Sequence, residues 1–436
     1  MREGLYQTKD YLLEYTASPY HLMWPRLHLR FLLLLLFALT TTVWSEDLPV
    51  RSLEGSQADP TGIEFASHRS STSVPFQLVD GRIFVSVRLN GEGPFSFIFD
   101  TGGDADVSPE VAERLQLASG GTETGTGMGE KPVTAANTTV RELKIGDLRM
   151  SNLAFHVISM SDAPAVFGRQ PVDGIIGFPI LEGMVVEVDY ERDRLELSLP
   201  SAYKLRVSGT TMHFERVRWV PLVHASLDGT PGMFGVDTGA RLSLLLYGPF
   251  VDQNDLRTKY RPRVEGVTGW GLGGPIRSQI VRGKLFAMGN LQLHDPLIRF
   301  PLQTSGGLMA SDTAGLIGAD ILRQFNITFD YGRESVTFQK NHHYGSRSTF
   351  DRVGVWLGQD GGAFSVIDVV SGSPAEKAGI KTGDKILAID GKPTGELDLT
   401  KVREEFRNSA VGKKMRLRVE TGTSFRDIVL ELRDLV

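Results

Sequence analysis

The chain has no cysteine among its 436 residues. That excludes disulfide staples, thiol catalysis, zinc–thiolate sites and a lipidated N-terminal cysteine. It also lacks any block of Lys or Arg. The net charge of −5 is spread along its length, so neither nucleic acid nor an anionic membrane surface would meet a basic footprint. Long apolar runs are scarce as well. Phe31–Leu39 stands out, yet it is short for a spanning helix, which needs about 20 residues. No Gly-x-Ser-x-Gly elbow is present, so a serine hydrolase of that type would lack its nucleophile site.

What is there begins with an address. Arg26 and Arg30 precede the apolar run, Thr40–Thr42 follow it, and Val43 and Ser45 sit at the −3 and −1 positions of a cut after Ser45. A basic segment, a short apolar segment and small residues make residues 1–45 a signal peptide, with Met23 as an alternative true start. The protein is therefore expected to be exported, periplasmic or extracellular, or membrane-anchored if the signal is not cleaved. Residues 46–72 are polar and Ser/Gly-rich without periodicity, and read as a linker.

From Val74 the pattern turns to short β-type runs broken by Gly, Asn-Gly and Asp-Gly, in keeping with 48 glycines. Phe84–Leu89 alternates, Asn90-Gly91 turns the chain, and Phe95–Phe99 delivers an apolar strand to Asp100. The chain then repeats itself. Leu89-Asn90-Gly91 through Phe99-Asp100-Thr101-Gly102 matches Leu227-Asp228-Gly229 through Val236-Asp237-Thr238-Gly239. Asp173-Gly174-Ile175-Ile176-Gly177 matches Ala314-Gly315-Leu316-Ile317-Gly318. The offsets, 137 residues at the first motif and 141 at the second, define a duplicated unit covering 73–201 and 202–341.

A single Asp-Thr-Gly would be a turn after a strand. Two at equivalent places in a duplicated unit point to a carboxyl pair. Carboxyls held together cannot both ionise comfortably, so they share a proton and titrate as one unit. The ionised member can take a proton from water while the protonated one polarises a carbonyl. Hydrolysis of an amide by this route requires neither a metal nor a covalent nucleophile, so no cofactor is expected.

Each unit resembles one lobe of a retropepsin-like or pepsin-like aspartic peptidase: apolar strand, Asp-Thr-Gly, Gly-rich hairpin, then an apolar-apolar-Gly segment. The resemblance covers about 270 residues. It implies a mostly β fold, a bilobal pair of acid-protease-type β-barrels, with Asp100 and Asp237 as the water-activating pair. It also implies that Thr101 and Thr238 brace the lobes, with Gly102 and Gly239 beside the carboxyls and Gly177 and Gly318 packed behind the loops. Mobile flaps would come from Gly127, Met128 and Gly129 in the first unit and from Trp270 and Gly271 in the second. The substrate would be an extended polypeptide, and a monomer would suffice because both aspartates lie in one chain. The position after each triplet is Gly103 or Ala240, so no hydroxyl is available to bond an ionised carboxylate, which predicts activity at mildly acidic to near-neutral pH. A catalytically inactive peptide-binding or scaffolding protein on the same fold is the alternative. Asp104 and Asp106, just after the first triplet, read as a solvated turn shaping a subsite. His342-His343 reads as linker rather than metal ligand.

Residues 348–436 differ in character. Phe364–Val370 is a strand, Ser373-Pro374-Ala375 opens a short helix, Gly383-Asp384-Lys385-Ile386 leads into a strand ending at Asp390-Gly391, and Leu399–Asn408 is amphipathic. This segment resembles a small α+β PDZ domain of the bacterial protease-associated type. The resemblance implies capture of a peptide's C-terminal end as an added strand, with Val353, Gly354 and Val355 holding its carboxylate and Leu399–Asn408 as the other groove wall.

Overall fold

The computed structural model describes residues 62–66, 69–204, 208–217 and 219–436. The signal-peptide reading lies outside them. The protein is mostly β, with two large sheets for the repeated units and a smaller one for the C-terminal domain. Among the described residues no helix is long and apolar enough to cross a membrane.

The end of the segment read as a linker is part of the first sheet. Glu64–Phe65 pairs with Leu148 and Arg149, and Ser71 opens the strand Ser71–Val79, which runs antiparallel to Arg194–Ser198. Thr72, Val74 and Phe76 face the core while Ser73, Pro75 and Gln77 face water. The polar residues that suggested a linker are the outer half of an alternating strand.

In the first unit Arg82–Leu89 and Glu92–Phe99 form an antiparallel hairpin around Asn90-Gly91, both at positive φ, as a two-residue turn of this kind demands. Glu92–Phe99 then lies parallel to Gly174–Ile176, which also pairs antiparallel with Asp106–Val107. The second unit repeats this arrangement. Val220–Leu227 and Thr230–Val236 form the hairpin around Asp228-Gly229, Thr230–Val236 lies parallel to Gly315–Ile317, and Leu244–Leu246 pairs antiparallel with Gly315–Ile317. The matching tripeptides therefore end matching strands.

A sheet shared by the units holds them together. Val185–Asp189 of the first pairs antiparallel with Phe325–Asp330 of the second, flanked by Arg194–Ser198 on one side and Ser335–Lys340 on the other. An aromatic cluster packs into the core that both units share: Phe178 stacks on Trp219 at 5.6 Å and meets Tyr331 edge-on. Apolar burial on this scale is the main stabilising term, with the edge-to-face pairs adding about 0.5–1.5 kcal/mol each.

The C-terminal domain has its own core, including Val353, Leu357, Phe364, Ile386, Val402, Phe406 and Leu417. Its strands run in the spatial order Val355–Asp360, Ala363–Val369, Lys385–Ile389, Lys414–Thr421 and Ser424–Glu431, so Val355–Asp360 is an edge. Pro374–Lys377 starts with the Ser373 hydroxyl accepting from the Glu376 N–H, and Leu399–Asn408 with the Asp398 carboxylate accepting from Thr400 and Lys401. Leu399, Val402 and Phe406 point inward at helical spacing. On the same helix Arg403 and Arg407 reach back to the lobes. Arg407 Nη2 lies 2.9 Å from both carboxylate oxygens of buried Asp320.

Candidate active site

Two apolar strands deliver Asp100 and Asp237 to one place. The Asp100 N–H donates to the Ile176 carbonyl at 2.9 Å and the Asp237 N–H to the Ile317 carbonyl at 3.1 Å, so each loop is anchored on its own apolar-apolar-Gly segment. A Cβ at Gly177 would overlap the Gly103 carbonyl, and one at Gly318 the Leu242 carbonyl. Glycine is what permits that close packing.

The threonines cross between the units. Thr101 Oγ1 donates to the Val236 carbonyl at 2.8 Å and accepts from the Thr238 N–H at 3.1 Å. Thr238 Oγ1 donates to the Phe99 carbonyl at 3.0 Å and accepts from the Thr101 N–H at 3.0 Å. Both side chains are fully buried, so these four bonds have no water to replace them. The grip fixes the loops symmetrically.

It also aligns the carboxyls, which lie within hydrogen-bond reach of each other. Asp100 Oδ1 accepts from the Gly102 N–H at 2.9 Å; Asp237 Oδ1 accepts from Gly239 at 2.8 Å and Ala240 at 3.0 Å. A Cβ at Gly239 would occupy the place of the Asp100 carboxyl. Burial raises Asp237 well above the usual carboxylate range, and the neighbouring Asp100 charge raises it further. Burial raises Asp100 too, opposed by bonds from Gly102 and Asp237 and by the charge of Arg82. The pair therefore holds its shared proton to higher pH than isolated carboxyls would.

Sequence reasoning missed the charges behind this pair. Asp80, with its side chain 2% exposed, lies 2.7 Å from Arg241 Nη2, 3.0 Å from Arg82 Nη1 and 3.8 Å from Arg403 Nη1 of the C-terminal helix. Arg82 Nε donates to the Gly239 carbonyl at 2.9 Å, bracing the second loop from the first unit. Despite the desolvation cost of burial, the three cations keep the Asp80 carboxyl below its ordinary value. The available signals were Arg82 between the Asp80-Gly81 turn and the apolar run Ile83–Val85, and Arg241 two residues after the second triplet.

The Asp104–Asp106 region differs from the sequence reading. Asp106 is 2% exposed and begins the short strand Asp106–Val107 rather than a solvated turn, because its side chain falls on the inward side of that strand. Burial and then the Asp104 charge push its carboxyl up to about 8. Asp104 Oδ2 faces His156 Nδ1 at 3.4 Å.

Both flap candidates are hairpin tips. Gly127, Met128 and Gly129 join Thr122–Thr126 to Pro132–Ile145, and Trp270 and Gly271 end Val264–Gly271 before Gly274–Arg282. The tips meet: the Gly129 N–H donates to the Leu272 carbonyl at 2.9 Å and the Lys131 N–H to Gly273 at 3.0 Å. Met128 packs against a cluster that includes Leu245, Tyr247 and Leu308, while Trp270 packs against one containing Phe84, Ile98 and Phe167. Arg82 Nη2 donates to the Trp270 carbonyl at 3.4 Å, linking the second hairpin to the loop that carries Asp237.

In the C-terminal domain, the Val353, Gly354 and Val355 N–H groups expected to receive a ligand's carboxylate all donate to Asp351 Oδ1. The chain's own carboxylate thus occupies the N–H groups that the sequence reading assigned to a ligand.

Comparison with known proteins agrees with the two resemblances. Residues 85–180 match the family model described as aspartyl protease, a stretch that includes the first Asp-Thr-Gly, and residues 365–421 match the PDZ domain model. Comparison with curated proteins finds no match. Among solved structures, the aspartic proteinase from Irpex lacteus aligns with 11% identity and a TM-score of 0.42, covering 64% of this chain and 99% of that one. The chain thus carries a stretch that matches the aspartyl protease model and, C-terminal to it, one that matches the PDZ domain model.

Proposed function

We propose that the protein is an aspartic endopeptidase that hydrolyses peptide bonds of extended polypeptides within a single chain. The observation that carries this reading is the carboxyl pair Asp100 and Asp237, brought within hydrogen-bond reach of each other at the centre of the threonine grip. In the working state one carboxyl of the pair holds the shared proton and the other is ionised. A water between them gives a proton to the ionised carboxyl as its oxygen attacks the scissile carbonyl, whose oxygen accepts a hydrogen bond from the protonated one. The tetrahedral species collapses when a carboxyl proton passes to the departing amine, which restores the pair. The two hairpin tips would exclude bulk water and hold the substrate extended. Export, read from residues 1–45, belongs to the same proposal and would place this chemistry outside the cytoplasm.

The test is incubation of an unfolded polypeptide with the purified protein from about pH 3 to about pH 8, with products mapped by mass. Internal cuts that require no added metal support the reading. No cleavage at any pH supports a peptide-binding protein on the same fold.

A further inference from the structure

The groove that a PDZ ligand would enter lies between the edge strand Val355–Asp360 and the helix Leu399–Asn408. A segment of the first lobe already occupies it. The short helix Ala163–Phe167 packs against both groove walls. Arg403 projects from the helical wall, 4% exposed, and donates to the Ala165 and Val166 carbonyls at 2.6 Å each and to the Leu357 carbonyl of the strand wall. Trp356 Nε1 donates to the Ala165 carbonyl at 3.3 Å, and Arg169 Nη2 to the Gly395 carbonyl at 2.5 Å. The fit is close enough that a Cβ built on Gly168 would lie 3.0 Å from Leu399 Cβ, and one on Gly358 3.5 Å from Ala165 Cα.

We infer that this groove is an intramolecular binding site whose ligand is the internal segment Asp162–Arg169, and that an outside peptide enters only by displacing it. The chemistry of recognition differs from capture of a chain end. The segment is read through backbone carbonyls, by a buried guanidinium and an indole N–H, which suits a turn with no free terminus. The carboxylate nest is meanwhile held by Asp351. An outside ligand is therefore an extended peptide that must displace Asp162–Arg169 from the groove and Asp351 from the Val353–Val355 N–H groups. Its binding and the docking of the PDZ domain on the first lobe exclude one another. Because Arg403 also sits 3.8 Å from Asp80, leaving the docked state removes one of the cations around that carboxylate.

A chain without cysteine allows a direct test that does not depend on peptidase activity. Ala165→Cys with Gly358→Cys places two thiols across the groove at disulfide range. Mild oxidant should close the pair nearly completely, and thiols that stay free would overturn the inference. A pool of labelled peptides ending in Val, Leu or Phe with a free carboxylate should bind the oxidised protein at least about tenfold more weakly than the reduced one. Arg403→Ala should bind the pool at least about tenfold more tightly than the unmutated protein, because the competing segment is loosened. Equal affinity across the oxidised, reduced and unmutated proteins would contradict it. Should the variants fail to fold, amide exchange of the unmutated protein decides: protection at residues 162–169 is expected, and exchange at the unstructured rate would overturn the assignment.

Discussion

The carboxylate of Asp80 lies 2.7 Å from the guanidinium of Arg241, so an acid from the turn of the first lobe clasps the cation that follows Asp237-Thr238-Gly239-Ala240. Arg82 and Arg403 close on the same carboxylate, and Arg403 comes from the PDZ helix. One buried acid thus joins three parts of the chain behind the carboxyl pair. Asp80→Ala would leave three cations facing one another without their counter-charge. Removing one partner of a buried ionic cluster typically costs about 3–5 kcal/mol. Denaturant unfolding should show a loss of that order, with the PDZ domain released more readily from the lobes.

The threonine grip predicts a loss that shape alone would not. Thr101→Val keeps the side-chain volume but leaves the Val236 carbonyl without its donor and the Thr238 N–H without its acceptor, both buried. Each such orphan costs about 1–3 kcal/mol. Thr238→Val should behave alike through the Phe99 carbonyl and the Thr101 N–H. Both variants should also cleave more slowly, since the loops carrying Asp100 and Asp237 lose their registration. Stability and rate measured on the same preparations check this.

Asp106 gives a pH signature for stability. Its carboxyl ordinarily titrates at 3.8, and burial beside Asp104 pushes it up to about 8, so the folded state holds that proton more tightly than the unfolded chain. Its stabilising contribution is complete below the unfolded value and is lost as pH rises through about 8. The raised Asp237 acts in the same direction. Thermal unfolding of Asp106→Asn across this range should show a shallower decline with pH than the unmutated protein, though not a flat one.

Activity should have its own pH signature. Residue 103 is glycine and residue 240 alanine, so no hydroxyl at either position steadies an ionised carboxylate, and burial raises both carboxyls. The rate optimum is therefore expected in the mildly acidic to near-neutral range, and an optimum below about pH 4 would contradict this. Ala240→Ser adds a donor beside Asp237 and should move the profile toward lower pH.

Much of this architecture is legible because its determinants are neighbours in sequence. Asn90-Gly91 and Asp228-Gly229 sit directly between alternating runs, and each Asp-Thr-Gly directly follows its strand. The PDZ helix Leu399–Asn408 shows its inward face at regular spacing. What escaped reading depends on partners far apart along the chain. Arg82 meets the Gly239 carbonyl across 157 residues, and Arg403 meets Val166 across 237, and no local pattern pairs them. Asp106 looked solvated because acids near a turn normally are; only the strand it opens turns it inward. Ser71–Val79 hid its first residues in a polar stretch, since serine and threonine serve the outer face of a strand as readily as a linker. The nest at Val353–Val355 was visible, but its occupation by Asp351 depends on how the loop folds back.

The central claim is that Asp100 and Asp237 act as one hydrolytic unit. The most direct measurement is cleavage of an unfolded polypeptide by Asp100→Asn and Asp237→Asn separately, beside the unmutated protein and with folding verified by denaturant titration. Each single substitution should lower the rate by about 10²–10⁴-fold, since neither carboxyl can be both proton acceptor and proton donor alone. Cleavage that persists near the unmutated rate in either variant would contradict the account.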